Sequence, residues 1–124
     1  MEIHIILLVL LFHWIADFIC QDEKWAINKA NWFEFLIQHT LLYSFIMWAG
    51  LLLIFPTFSA SILFFLITFV SHTLVDYFTS IVVQQRFRDK HLGSSIPNFG
   101  AFSIIGYDQL LHYTMLFYSL KYLL

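Results

Sequence analysis

Four histidines and three aspartates lie inside otherwise apolar stretches of this chain: His13, Asp17, His39, His72, Asp76, Asp108 and His112. The runs beside them, such as residues 3–12 and 62–70, contain no Lys, Arg, Asp or Glu. A charge in hydrocarbon costs about 2.5–3.5 kcal/mol on the most lenient scale, so such residues mark function by default. No lysine or arginine shares those stretches, so the sequence predicts three buried carboxylates that need protons or metal cations.

Composition says where the stretches reside. Of 124 residues 60% are hydrophobic and 20% aromatic, while only 11% are charged. A soluble domain carries about 25% charged residues, so the balance points to a membrane. There is no basic tract with interleaved aromatics, which argues against nucleic acid as a partner. Cys20 is the lone cysteine, which excludes an intrachain disulfide and a thiolate cluster. The first apolar run has no basic residue before it and no small-residue cleavage site after it, so it reads as a retained span.

The predicted fold class is all-α: one domain, residues 1–124, of four antiparallel transmembrane helices at about 3–20, 34–55, 59–83 and 102–124. Each has the 18–25 residues that cross about 30 Å of hydrocarbon at 1.5 Å per residue. Pro56 forces a tight uncharged turn between the second and third helices. The other two connections are polar, with loop signals at Gly93-Ser94-Ser95 and Pro97-Asn98. They hold Lys24, Lys29, Arg86, Arg88 and Lys90, against Lys121 alone on the opposite side. Positive-inside then puts both connections in the cytoplasm and both termini outside.

Threaded this way, the seven polar residues fall in one layer, roughly 5–15 Å inside the cytoplasmic boundary. Descending helices read His-x3-Asp (His13/Asp17, His72/Asp76), and the ascending fourth reads Asp-x3-His (Asp108/His112). Residues four apart stack on one helix face, so each pair can point at a shared site. Imidazole with carboxylate suits zinc first, with Mn, Fe or Ni as alternatives, and seven ligands suggest two divalent ions bridged by an aspartate. Gln21, Gln38 and Gln109 flank the ligands and are the expected outer partners. Lys29, Arg86, Arg88 and Lys90 are placed to meet lipid headgroups.

The pattern His13-x3-Asp17-Phe18-x2-Gln21, then Ala26, Lys29, His39, His72-x3-Asp76-Tyr77 and Asp108-Gln109-x2-His112, resembles the small bacterial and phage membrane proteins catalogued as domain of unknown function 3307. The resemblance spans nearly the whole chain. It implies a polytopic inner-membrane protein and carries over the seven ligand positions, but implies little about a reaction. Thr79 and Ser80 stand where the family often has a basic residue. A looser similarity to membrane-bound metal-dependent hydrolases is analogy.

Three functions remain in view. A metal-dependent hydrolase acting on a lipid-type substrate leads. A structural or regulatory protein stapled by metal and acting on a membrane protein partner is the alternative, and a metal-ion or proton transporter comes third. A homo-oligomer is compatible with each.

Overall fold

The computed structural model describes residues 1–93 and 99–124, so most of the signals at Gly93-Ser94-Ser95 and Pro97-Asn98 lie outside the described residues. Helix α1 (Ile3–Trp14) continues directly into a π-helix, Ile15–Ile19. Short α2 is Glu23–Asn28, and α3 is Phe33–Leu51 with a 3₁₀ turn at Leu52–Ile54. Long α4 is Phe58–Arg88 and α5 is Ala101–Leu123. Among the described residues there is no strand.

The expected boundaries shift for local reasons. The first helix widens where Cys20 N–H donates to the Ile15 carbonyl at 2.9 Å, five residues back. Helix α4 runs to Arg88 rather than ending at 83, because Gln84, Gln85, Arg86 and Arg88 are all good helix formers. It stops at Lys90, whose φ of 58° is the left-handed geometry of a helix end.

The first polar connection is not a plain loop. Asp22 caps α2 by accepting from the Lys24 backbone N–H at 2.7 Å. The Trp25 indole then donates to Gln38 Oε1 at 2.9 Å, tying α2 to α3. This tether turns Lys29, at the C-terminal end of α2, toward the bundle.

Helix α4 packs against both α3 and α5, and α1 packs against α3. Val9, Met47, Leu51, Phe64, Leu116 and Leu120 fill the half of the bundle near the termini. Gly50 admits the close approach of α1: a Cβ there would meet the Phe12 ring at 2.6 Å. Gly50→Ala is therefore expected to cost about 1–3 kcal/mol, the usual scale of overpacking, read as a lower unfolding midpoint in detergent.

The other half of the interior is polar. Among the described residues, twelve buried polar or charged side chains accompany ten buried apolar ones, so apolar packing alone does not hold the bundle. The outer surface is conversely apolar, with Leu7, Trp14, Phe45, Leu74, Leu110 and Tyr118 all exposed. Two helical stretches, Phe33–Ile54 and Phe58–Arg88, are long and apolar enough to cross a membrane.

Candidate metal centre

Asp17 reaches the bundle axis from the π-helical turn, a geometry that concentrates at functional sites. His39 comes from the first half of α3, His72 and Asp76 from α4, and Asp108 and His112 from α5. All six are buried.

Four of them converge on one point. His39 Nε2 lies 3.2 Å from Asp17 Oδ1 and 3.3 Å from Asp76 Oδ2. His72 Nε2 lies 3.4 Å and 3.5 Å from the same two oxygens. The two Nε2 atoms are 3.2 Å apart. Four donors held about 2.0–2.1 Å from a tetrahedral ion sit about 3.3–3.4 Å from one another. The group Asp17, His39, His72 and Asp76 could therefore hold a metal ion with little movement.

Asp17, Asp108 and His112 form a second group of possible ligands that shares Asp17 with the first. His112 Nε2 lies 3.1 Å from Asp76 Oδ1 and 3.2 Å from Asp108 Oδ2. The two groups thus touch through both Asp17 and Asp76.

His13 belongs to neither group. Its Nε2 donates to Gln109 Oε1 at 2.6 Å, and its Nδ1 accepts from the Tyr43 hydroxyl at 2.6 Å. Both ring nitrogens are engaged, and Asp17 Oδ2 is 3.8 Å away. Gln109 in turn donates to Asp17 Oδ2 at 2.9 Å and to Asp108 Oδ2 at 3.1 Å. Its amide spans the gap between the two carboxylates, and Thr79 holds the other oxygen of Asp108.

Lys29 corrects the sequence reading most. Expected at the headgroups, its Nζ instead lies 2.7 Å from Asp76 Oδ2, with the lysine side chain only 16% exposed. The carboxylates are not without a basic partner. Burial pushes the Lys29 ammonium down, but Asp76, Asp17 and Asp108 outweigh it, and its pKa ends above the ordinary value. The stabilisation is fully present below the ordinary lysine pKa and disappears only as alkaline pH passes the raised value, so the pair holds across the neutral range.

The remaining residues divide. Gln21 donates to the Asp17 backbone carbonyl at 3.1 Å, leaving its buried Oε1 without a partner. Gln38 faces outward to Trp25 rather than into the cluster, because neighbouring helix positions point about 100° apart and His39 takes the inward one. Arg86 and Arg88 lie in the last turn of α4, where Arg88 donates to Gln84 at 3.4 Å, and Lys90 ends the helix.

Tyr43 was not anticipated. It is fully buried, with its ring centroid 3.8 Å from that of His72 in a stacked arrangement. His112 stacks on the other neighbour, 4.0 Å from His72 at 11°. The signal was present as His39-x3-Tyr43, a fourth i,i+4 pair whose second member is a hydroxyl donor.

A cavity of 460 Å³ lies beside the cluster, with Asp17, Asp76 and Asp108 on its wall. It is bounded by α2, the far end of α4 and the start of α5.

No curated protein and no solved structure matches the chain. A family model does match, over residues 5–123, and through it the chain belongs to the family described as Protein of unknown function (DUF3307).

Proposed function

We propose that this is a four-span protein of a bacterial inner membrane that binds one divalent metal ion between Asp17, His39, His72 and Asp76. The observation that carries the metal is the set of five donor separations between 3.2 and 3.5 Å, matching five of the six edges of a tetrahedron around an ion of zinc size. Zinc suits this nitrogen and oxygen set best, with Mn, Fe and Ni behind it.

The membrane reading rests on inversion of the surface. Only 33% and 22% of the apolar windows in Phe33–Ile54 and Phe58–Arg88 are buried, unlike the core helices of a soluble protein. The same outward apolar face continues on α1 at Ile3, Leu7 and Leu11 and on α5 at Phe102, Leu110 and Met115. With the apolar stretch Ile3–Ile19 at 17 residues and α5 at 23, all four are long enough to span.

Charge favours one ion over two. The Lys29 ammonium offsets one of the three carboxylate charges, which lowers the cationic charge the site calls for. The second group already has the Gln109 amide donating to both of its carboxylates. Elemental analysis of protein extracted without chelator is expected to find about one ion per chain, and less than about 0.3 overturns the proposal. Gln109→Glu replaces those donors with a fourth negative charge of the same shape. It is expected to raise the content to about two ions per chain by native mass spectrometry; an unchanged count means the second group does not accept a cation.

The favoured activity is metal-dependent hydrolysis of a lipid-type ester, because the two carboxylate ligands Asp17 and Asp76 also face the 460 Å³ cavity. An ion there polarises a carbonyl or phosphoryl oxygen or acidifies a bound water. One observation favours a structural staple instead: four protein ligands at most 4% exposed make a closed set, as structural zinc sites do. Transport is not proposed, since Val9, Met47, Leu51 and Phe64 pack as an apolar core beyond the cluster.

A further inference from the structure

The cavity has two chemically distinct ends. Its inner end carries the Asp17, Asp76 and Asp108 carboxylates together with Gln21 and Ser80. Gln21 Oε1 and Ser80 Oγ are buried atoms with no hydrogen-bond partner. A buried polar atom left unsatisfied costs about 1–3 kcal/mol, so a site that keeps two of them on one wall is built for something that pairs them. Phe18, Ile27, Val83, Phe87 and Ile105 supply an apolar wall beside them. A volume of 460 Å³ is within the range of small-ligand sites.

The inner end accepts more than it donates. Carboxylates and an amide carbonyl are acceptors only, and the Gln109 N–H groups are already committed to Asp17 and Asp108. The Lys29 ammonium gives one of its three N–H donors to Asp76. That pair shows how the wall satisfies a carboxylate: with a primary ammonium. Asp108 lies on the same wall with only neutral hydrogen-bonding groups and His112 beside it, and no lysine or arginine.

We propose that the cavity binds a lipid with a primary-amine headgroup, the ammonium donating to Asp108, Ser80 and Gln21 and the acyl portion lying along the Phe18–Ile105 wall. An anionic headgroup would set its phosphate against three carboxylates with only the Lys29 ammonium to offset them. A quaternary ammonium carries the charge but no N–H to donate. A free amine has the donors but nothing to cover the apolar wall. The proposal rests on the membrane reading above and not on the metal, and it names the substrate class that the hydrolytic reading would require.

The test uses the full chain in detergent micelles, with native mass spectrometry reading lipid retention. Lipids with matched acyl chains carry an ethanolamine, a choline or a glycerol headgroup, and free ethanolamine is the chainless arm. Ethanolamine lipid is expected to be retained about tenfold more than either other lipid, the scale of one charge-assisted hydrogen bond. Free ethanolamine at the same concentration is expected not to compete. Ser80→Ala and Asp108→Asn are each expected to narrow the preference, and Ser80→Ala stands alone if Asp108→Asn does not fold. Equal retention of choline and ethanolamine lipids, preference for glycerol, or competition by free ethanolamine overturns the proposal. Metal content measured on the same samples keeps the two questions apart: selective retention by protein with no metal leaves this inference standing and removes the metal centre.

Discussion

Lys29→Met is expected to destabilise the protein by about 3–5 kcal/mol, the cost of leaving one partner of a buried ion pair alone. The Asp76 side chain is only 2% exposed and lies 2.7 Å from the lysine nitrogen, so loss of the ammonium leaves a buried carboxylate without its basic partner. The effect is far larger than the 0–1 kcal/mol of an exposed pair. Unfolding in mixed micelles, monitored by loss of helical signal, measures it. A loss below about 1 kcal/mol would return Lys29 to the solvated, headgroup-facing position expected from topology alone. Saturating metal should recover part of the loss, since binding to the folded state stabilises it by mass action. The Asn28 side chain, which donates to the Lys24 carbonyl at 2.9 Å, and the Asp22 cap hold α2 in shape, so their loss should weaken the same pair indirectly.

His72→Ala is the second large expectation. It removes one of four donors, and the apparent metal affinity should fall by at least about a hundredfold, the upper end of what losing even an outer-shell partner costs. His39→Ala should match it, because both Nε2 atoms face the same two oxygens at nearly equal distance. His13→Ala separates the readings of the ligand set. Both nitrogens of His13 bond Tyr43 and Gln109, so its loss is expected to leave about one ion bound while loosening Gln109. Titration of each variant with zinc against a competing chelator gives the three affinities. A loss at His13 equal to that at His72 would make His13 a ligand and overturn the four-donor centre. The folded state of the two ligand variants also decides between the functional readings. If they stay folded and metal-free, the ion is there for chemistry; if they unfold, it is a staple.

Much of the site is legible in the sequence. The reversal from His-x3-Asp to Asp-x3-His with helix direction placed Asp17, Asp76 and Asp108 at one depth, and the structure brings them within one cluster with His39, His72 and His112. Helix periodicity and span length are local properties, so the all-helical architecture was readable too. Three things were not. The π-turn at Ile15–Ile19 depends on a single shifted hydrogen bond that no residue pattern announces. The role of Gln109 depends on its standing between carboxylates from two different helices. The depth reached by Lys29 depends on how α2 folds back over the bundle.

Sequence by itself determined that this chain must bury carboxylates and imidazoles together, because their spacing put them on inward faces at one level of an apolar bundle. Only the tertiary structure decided how their charge is balanced. Lys29 lies 47 positions from Asp76 in the chain, and it enters the site through a connection that composition marks as solvated. Whether a long side chain reaches water or a buried carboxylate is set by the path of the backbone that carries it. That path gave Asp76 a basic partner that the apolar stretches themselves do not contain.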